Sequence, residues 1–339
     1  MSGGAVAYQL RVNKCVDRNL FIELLQKISG YKKNISEYGY YGFAGYSFED
    51  FRQLHIRLNI SKMTSIESDR QVYKRQVYNN PYRCIELLNT SSKDFIDQNG
   101  QMLESPCIVW LDYSEANRRG EQIDEFTNLI SHLNPGDVAR ITLNANISSL
   151  YTKEPGDTQR EVSKKRMEKY KDQMSDQTLP NISETMFLKN SDFARVLYYA
   201  IYVSTIKNRR NSSTQFIPLM ALTYRDAQHQ MMTLTGIILE NDENENDFYS
   251  YACIDDKWNL YIGDYLNWQT VKIHDINIPE LTLKEKLLID SLLPLSEPNS
   301  NGQLLCCIEN NYKLTLNKTE VENYLKYYRQ YPGFRQVIL

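Results

Sequence analysis

YGYYGFAGY, residues Tyr38 to Tyr46, reads as a short aromatic strand that runs into a turn carrying Gly42 and Gly45. Upstream, NLFIELLQKISG (19–30) has apolar positions at helical spacing and ends at Gly30, so a helix is expected there. Downstream, SFEDFRQLHIRLNI presents Phe48, Phe51, Leu54, His55 and Leu58 on one helical face, with Ser47 placed to cap it and Asp50 three residues on. KMTSIESD is then a second strand that ends in acid, and DRQVYKRQVYNNPY a helix stopped before Pro81. RCIELLNT gives a third strand, and SSKDFIDQNG a short helical or loop segment. SPCIVWLDY is a buried-type fourth strand ending in Asp112 and Tyr113, followed by the amphipathic helix EQIDEFTNLISHLNPG and the strand DVARITLNANI.

Strands alternating with helices imply a parallel sheet with right-handed crossovers. The charged stretch 151–180 reads as an insertion, helical in part, and SDFARVLYYAIYVSTIK as an apolar helix. FIPLMALTYRDAQHQMMTLTGIILE reads as two strands around the polar turn Arg225–His229, an antiparallel hairpin over about 216–240. Beyond the acidic NDENEND loop come strand-like pieces (FYSYACI, WNLYIG, TVKIH) and helices at LTLKEKLLIDSLL and KTEVENYLKYYRQY. The expected fold is therefore α/β and doubly wound, a mostly parallel seven-stranded sheet closed by an antiparallel hairpin, plus a small C-terminal subdomain. The expected parts are an N-terminal helical segment (1–37) covering the ligand site, a central domain (38–240), and a C-terminal α+β subdomain or lid (241–339).

The chain has 339 residues, is 42% hydrophobic and 24% charged, and carries a net charge of -3, so it can bury a sizeable core and shows no overall basic field. A local basic face is left open, and nucleic acid is not excluded as a partner. The start lacks the apolar core of a signal peptide and no run is long enough to span a bilayer, so a cytoplasmic protein without membrane contact is expected. None of the cysteines (Cys15, Cys84, Cys107, Cys253, Cys306, Cys307) sits in a CxxC pair, and the four histidines lack metal-ligand spacing. Reduced structural thiols and no metal site are the expectation.

In an open doubly wound sheet, ligands bind beyond the carboxyl ends of the strands, at the switch point beside the first strand. Gly42, Phe43, Ala44 and Gly45 follow strand one, where glycine lets the backbone approach a ligand. Glu67 follows strand two, a little over twenty residues beyond the glycines, where an acid can accept from both hydroxyls of an adenosine ribose. Ser92 and Asp94 follow strand three, at the height of an adenine. Asp112 and Tyr113 end strand four, where a carboxylate could orient a substrate or an ammonium group, or act as a base. RVNKCVDR puts Arg11, Asn13, Lys14, Asp17 and Arg18 ahead of the first helix, either over the ligand, where they could hold an anionic substrate, or as a mutually neutralising surface.

A dinucleotide site wants a fuller G-x-G-x-x-G, and a nicotinamide enzyme would need the last two strands to be parallel. With the hairpin at 216–240, residues 38–240 resemble the class I S-adenosylmethionine-dependent methyltransferases. LRVNKCVDR, SFEDFRQLH, SIESD, WLDY, ITLNAN and the closing YYRQYPGF resemble a group of bacterial proteins labelled putative O-methyltransferases. The resemblance implies S-adenosylmethionine as cofactor, with YGFAG as the glycine-rich first motif, Glu67 as the ribose acid and WLDY as the fourth motif. It implies in-line methyl transfer to an unidentified acceptor, with Asp112 and Tyr113 at the chemistry and Lys14 holding the acceptor. Asp112-Tyr113 lacks the Pro-Pro-aromatic continuation of amino-methylating DNA enzymes, so an oxygen acceptor is preferred over a base. The alternative is a catalytically silent module of the same fold, with 151–180 and the C-terminal part as surfaces for a protein partner.

Overall fold

A computed structural model describes residues 11–99, 103–174, 182–206, 213–279, 281–295, 301–312 and 314–332. The end of the 151–180 insertion, the close of the helix expected to run to Lys207, and the final residues of YYRQYPGF lie outside the described residues. In chain order the first half comprises α1 (Val12–Ile28), β1 (Gly39–Gly42), α2 (Glu49–Leu58), β2 (Lys62–Ile66), α3 (Arg70–Asn79), β3 (Ile85–Leu88) and α4 (Ser92–Asn99). Then come β4 (Cys107–Asp112), α5 (Arg119–His132), β5 (Val138–Asn144), α6 (Gln159–Gln173), α7 (Asn190–Ile201), β6 (Thr214–Asp226) and β7 (His229–Glu240). The C-terminal part adds α8 (Glu245–Ala252), β8 (His274–Ile276), α9 (Leu283–Ser291), α10 (Asn301–Tyr312) and α11 (Lys318–Tyr327).

The strands form one sheet in the order β3-β2-β1-β4-β5-β7-β6-β8. β1 to β5 run parallel, and β7 enters antiparallel to both β5 and β6. The strand order reverses at β1, which lies between β2 and β4, so the carboxyl ends of β1 and β4 flank the switch-point crevice. The antiparallel β6–β7 pair fails the condition for a nicotinamide-type sheet and matches the hairpin expected over 216–240. The sheet has eight strands rather than seven, because His274–Ile276 pairs in parallel with Leu222, Thr223 and Tyr224 of β6.

β4 and β5 are buried almost throughout, as their unbroken apolar runs require of central strands covered on both faces. α1 packs with α2, whereas α4 packs with α5. α1 begins at Val12, well upstream of the expected Asn19, because Val16, Leu20, Phe21, Leu24 and Leu25 face the core and Asp17 and Arg18 are buried with them. A charged pair inside the first turns hid that start from a reading based on apolar spacing.

Four local expectations are corrected. Ser47 does not cap α2; the cap is Phe48 in the left-handed region (φ 56°), without a side-chain bond to the helix end. FYSYACI is not a strand but most of α8, where Phe248 and Ala252 bury one helical face behind the Asn244 cap. WNLYIG forms turns without a strand, and strand pairing near TVKIH starts only at His274. α10 was not anticipated, its NGQLLCCIENNY showing no clean periodicity.

His274 in β8 contacts the Tyr261 carbonyl and the Lys326 ammonium through its two ring nitrogens, both at 3.2 Å. Burial, then the Lys326 charge, push its pKa from 6.5 down to about 4. A histidine depressed in the folded state leaves stability complete above its unfolded pKa and removes it as pH falls from 6.5 toward 4. Thermal unfolding across that window should therefore show a shallower acid limb for His274→Gln than for wild type. The difference should not exceed about 1.4 kcal/mol per pH unit, the linkage of one proton. Parallel limbs would contradict the assignment.

Candidate active site at the switch point

The turn after β1 is shaped by two glycines with different duties. Gly42 pairs with Ser65 of β2 and Trp110 of β4. A Cβ on it would lie 2.7 Å from the Tyr40 hydroxyl and 3.1 Å from the Trp110 carbonyl, so close packing requires glycine. Gly45 lies in the left-handed region (φ 56°) with nothing within 4 Å of where a Cβ would be. The backbone there is open, as an approaching ligand requires.

Glu67 follows β2 at the same edge. Its backbone N–H donates to Leu88, and its carboxylate accepts from the Asp69 N–H at 2.8 Å. Burial raises its pKa. A carboxylate offers about four acceptor positions, so the turn contact leaves capacity for a ribose diol.

Neighbouring side chains at the end of β4 part to opposite faces of the sheet. Tyr113 turns toward α5 and donates to Glu125 at 2.5 Å, and the Ser92 hydroxyl donates to the same carboxylate at 2.5 Å. Phe43 meets the Tyr113 ring edge-on at 5.6 Å. Burial holds the Tyr113 phenol well above its ordinary pKa, so it acts as a hydrogen-bond donor. Phe43, Ser92 and Tyr113 thus share one corner with Glu125, which the sequence reading missed. Asp94 turns back on α4, its carboxylate accepting from the Ser91 hydroxyl at 2.6 Å.

Asp112 turns the other way, toward α1. It accepts from Arg18 Nη2 at 2.8 Å and lies 3.9 Å from Lys14 Nζ. Arg18 also donates to Asp17 (2.9 Å), Asp50 (3.2 Å) and the Tyr224 hydroxyl (2.8 Å). Behind it, Arg140 Nη2 donates to both oxygens of Asp17 at 2.6 and 2.7 Å, and Thr233 adds a bond at 3.2 Å. The guanidinium carbons of Arg18 and Arg140 each lie 4.5 Å from the Trp110 ring centroid. Toward solvent, Lys14 Nζ is 3.7 Å from Asp226, which also binds Arg11.

Four cations (Arg11, Lys14, Arg18, Arg140) therefore interleave with four carboxylates (Asp17, Asp50, Asp112, Asp226). The charges of the segment 11–18 are neutralised, largely by Asp50, Asp112, Asp226 and Arg140 of other elements, and the segment runs from part-exposed at Arg11 to Cys15 into full burial at Val16 to Arg18. Charge balance removes the reason to expect an anionic substrate there. Burial opposes the charge on Asp112, yet Lys14 and Arg18 outweigh it and hold the carboxyl below its ordinary range. Burial lowers the Lys14 pKa, and Arg18 lowers it further. Asp50 is raised by burial, partly offset by Arg18. Lys14 and Asp112 are thus brought together and Tyr113 is turned away from them. Arg140 was missed, although an arginine in the middle of a buried strand was a visible signal.

A family model described as "Putative O-methyltransferase" matches residues 6–339. No curated protein matches the chain. Among solved structures, an O-methyltransferase from Bacillus cereus in complex with SAH is similar at 11% identity and TM-score 0.36, over 68% of this chain and 89% of that one. The O-methyltransferase TomG from Streptomyces achromogenes, in complex with SAM, is similar at 12% identity and TM-score 0.34, over 65% and 79%. A fibrillarin/Nop5p complex gives 11% identity and TM-score 0.34, over 60% and 72%.

Proposed function

The chain belongs to this O-methyltransferase family, and from that premise we propose that it binds S-adenosylmethionine at the switch point and methylates an oxygen acceptor. The observation that carries the reading is the open, left-handed Gly45 turn at the crevice, with Glu67 ending the neighbouring strand. The local charges suit this ligand better than a dinucleotide. α2 opens on Glu49, with Asp50 behind it taken up by Arg18, and Glu49 would repel a pyrophosphate at the helix N-terminus but tolerate an ammonium or sulfonium group.

In this reading Gly42, Phe43 and Gly45 form the floor and wall of the site, and Glu67 accepts from the ribose hydroxyls. Ser92 belongs to the adenine side through the Tyr113 corner, and Asp94 stands behind it. When bound, the cofactor supplies an electrophilic methyl group. Lys14, beside Asp112 at the end of β4, holds the acceptor molecule by donating to it. Asp112 stays ionised, accepts from the acceptor hydroxyl and orients it, and takes up the proton that the oxygen releases as it is methylated, when that proton is far more acidic than in the free alcohol. Tyr113 contributes by fixing Phe43 at the wall.

Isothermal titration with S-adenosylmethionine should show binding to wild type that Glu67→Ala weakens by roughly tenfold or more, a loss of about 1.4 kcal/mol or above. A flat titration of wild type would refute the reading. One observation favours a silent binding module instead: Asp112 is already engaged by Arg18 and Lys14. Incorporation of labelled methyl groups into a cell extract separates the two, since only the enzyme turns over.

A further inference from the structure

A second surface of the molecule carries charge that the switch-point site does not use. On α2, on α3 and in the turn before β3, Arg52, Arg57, Arg70, Lys74, Arg75 and Arg83 are all exposed. Among the described residues none of the six has a carboxylate at ion-pair distance. Elsewhere on the surface Lys32, Lys62, Lys93, Arg118 and Lys165 are each paired, whereas Lys153, Lys257 and Lys284, like these six, are exposed with no carboxylate at ion-pair distance among the described residues. The acids along the same stretch are largely committed. Asp50 is buried on Arg18, Asp69 caps α3 by accepting from Gln71 and Val72, and Glu49 and Glu67 are only part-exposed. Six exposed cations thus stand beside two exposed carboxylates, Asp69 and Glu86, and two part-exposed ones, Glu49 and Glu67, on a chain whose net charge is -3.

Apolar and aromatic groups are interleaved with these cations. Tyr78 is 91% exposed, Ile56 70% and Val77 56%. Gln71, Lys74, Arg75 and Tyr78 recur at helical spacing and so form one exposed stripe along α3. The Arg75 guanidinium lies 3.7 Å from the Tyr46 ring centroid, and Asn79 donates to the Tyr46 carbonyl at 3.1 Å. Tyr82, in the turn between α3 and β3, packs on α2, its ring 4.4 Å from that of His55 and 6.0 Å from the Arg52 guanidinium. Through Tyr46 the surface borders the turn that carries Gly45.

Unneutralised cations that track a backbone, with exposed rings between them, suit a single nucleic-acid strand. The cations meet successive phosphates and the rings stack on unpaired bases. A duplex keeps its bases stacked inside, which would leave Tyr78 without a partner. An acidic peptide would satisfy the cations but not the ring. Gln71 supplies a neutral donor and acceptor beside Lys74 and Arg75, the kind of group that reads a 2′-hydroxyl.

We propose that the α2–α3 face, from Arg52 to Arg83, is a docking surface for single-stranded RNA. This does not rest on methyl transfer, and the test is made without cofactor. Fluorescence anisotropy with a short labelled single-stranded RNA should show binding by the full chain at about 50 mM salt, weakening steeply as salt rises. The double variant K74E/R75E should bind roughly tenfold more weakly or worse. Its plot of log affinity against log salt should be flatter by about 1.4, two single-strand phosphate contacts. Tyr78→Ala should lose about five- to one hundredfold, with the salt slope nearly unchanged, because stacking carries no counterions. Lys284→Glu on the exposed face of α9 should bind as wild type does. K74E/R75E gives up the Arg75–Tyr46 contact and should melt slightly lower, so Lys74→Glu alone is measured beside it and should lose part of the same affinity. Among the described residues Lys74, Tyr78 and Lys284 make no such packing contact, and their variants should melt as wild type does. The proposal is overturned if wild type does not bind, if the α3 variants match wild type, or if Lys284→Glu loses as much as they do. Equal affinity for the matched DNA strand, an RNA duplex or polyglutamate would overturn it as well.

Discussion

Asp17→Ala is expected to lower the free energy of unfolding by about 3–5 kcal/mol, the loss that follows when one partner of a buried ion pair is removed. Asp17 is fully buried and accepts from Arg140, Arg18 and Thr233. Without it, Arg140 keeps its charge in the same dry place with a hydrogen bond to Thr235 and the rings of Phe21 and Trp110. Rings attract a cation but do not replace a carboxylate. The penalty comes from the stranded charge, so removing both charges should cost much less than removing one. Asp17→Leu combined with Arg140→Met should recover most of the loss, since apolar residues of similar volume often replace buried pairs with little cost. Chemical denaturation of the two single variants and the double variant gives the comparison. If Asp17→Ala unfolds within about 1 kcal/mol of wild type, the pair is not the buried anchor described here.

The second large effect separates two glycines three residues apart. Gly42→Ala should destabilise the fold by about 1–3 kcal/mol, because the new methyl meets the buried Tyr40 ring and the Trp110 carbonyl, neither free to retreat. Gly45→Val should leave the sheet intact, since its Cβ enters open space, at a strain of about 1–2 kcal/mol for the left-handed backbone. Its larger effect should be on ligand binding, where a side chain at the mouth of the turn should weaken S-adenosylmethionine by on the order of one hundredfold, about 2.7 kcal/mol. Thermal melts and titrations on the same two proteins decide the matter. Unchanged binding by a folded Gly45→Val protein would move the ligand away from this turn.

Much of the sheet was legible because its signals are local. Runs such as CIVWLD and VARITLN are central strands in almost any context, and the two-strand pattern around Arg225–His229 sets β7 antiparallel. The places where reading failed share a cause. α8 looks like a strand because aromatics favour strands in general, while its burial follows a helical face that only the finished core defines. Ser47 looks like a cap, but Asp50 in the first turn of α2 is drawn to Arg18 from a different helix. At the site, the proximity of Lys14 to Asp112 could be anticipated as a polar segment near a strand end. The departure of Tyr113 to the other face follows from strand alternation and could have been foreseen. The engagement of Arg140 with Asp17 could not, since they lie 123 residues apart and nothing in either neighbourhood names the other.

That separation bears on how the chain acquires its fold during synthesis. Arg11 meets Asp226 across 215 residues, and Asp17 meets Thr233 across 216. β7 lies between β5 and β6, so the β5 edge stays unpaired until the hairpin has emerged. The bonds of Arg11 and α1 to Tyr224, Asp226 and Thr233 are therefore among the last to form. Arg18 can meet Asp50 and Asp112, and Asp17 can meet Arg140, as soon as those residues emerge, whereas the bonds to Tyr224 and Thr233 wait for the hairpin. Closure of the core around these charges therefore depends on contacts of very long sequence separation, the kind that slow folding.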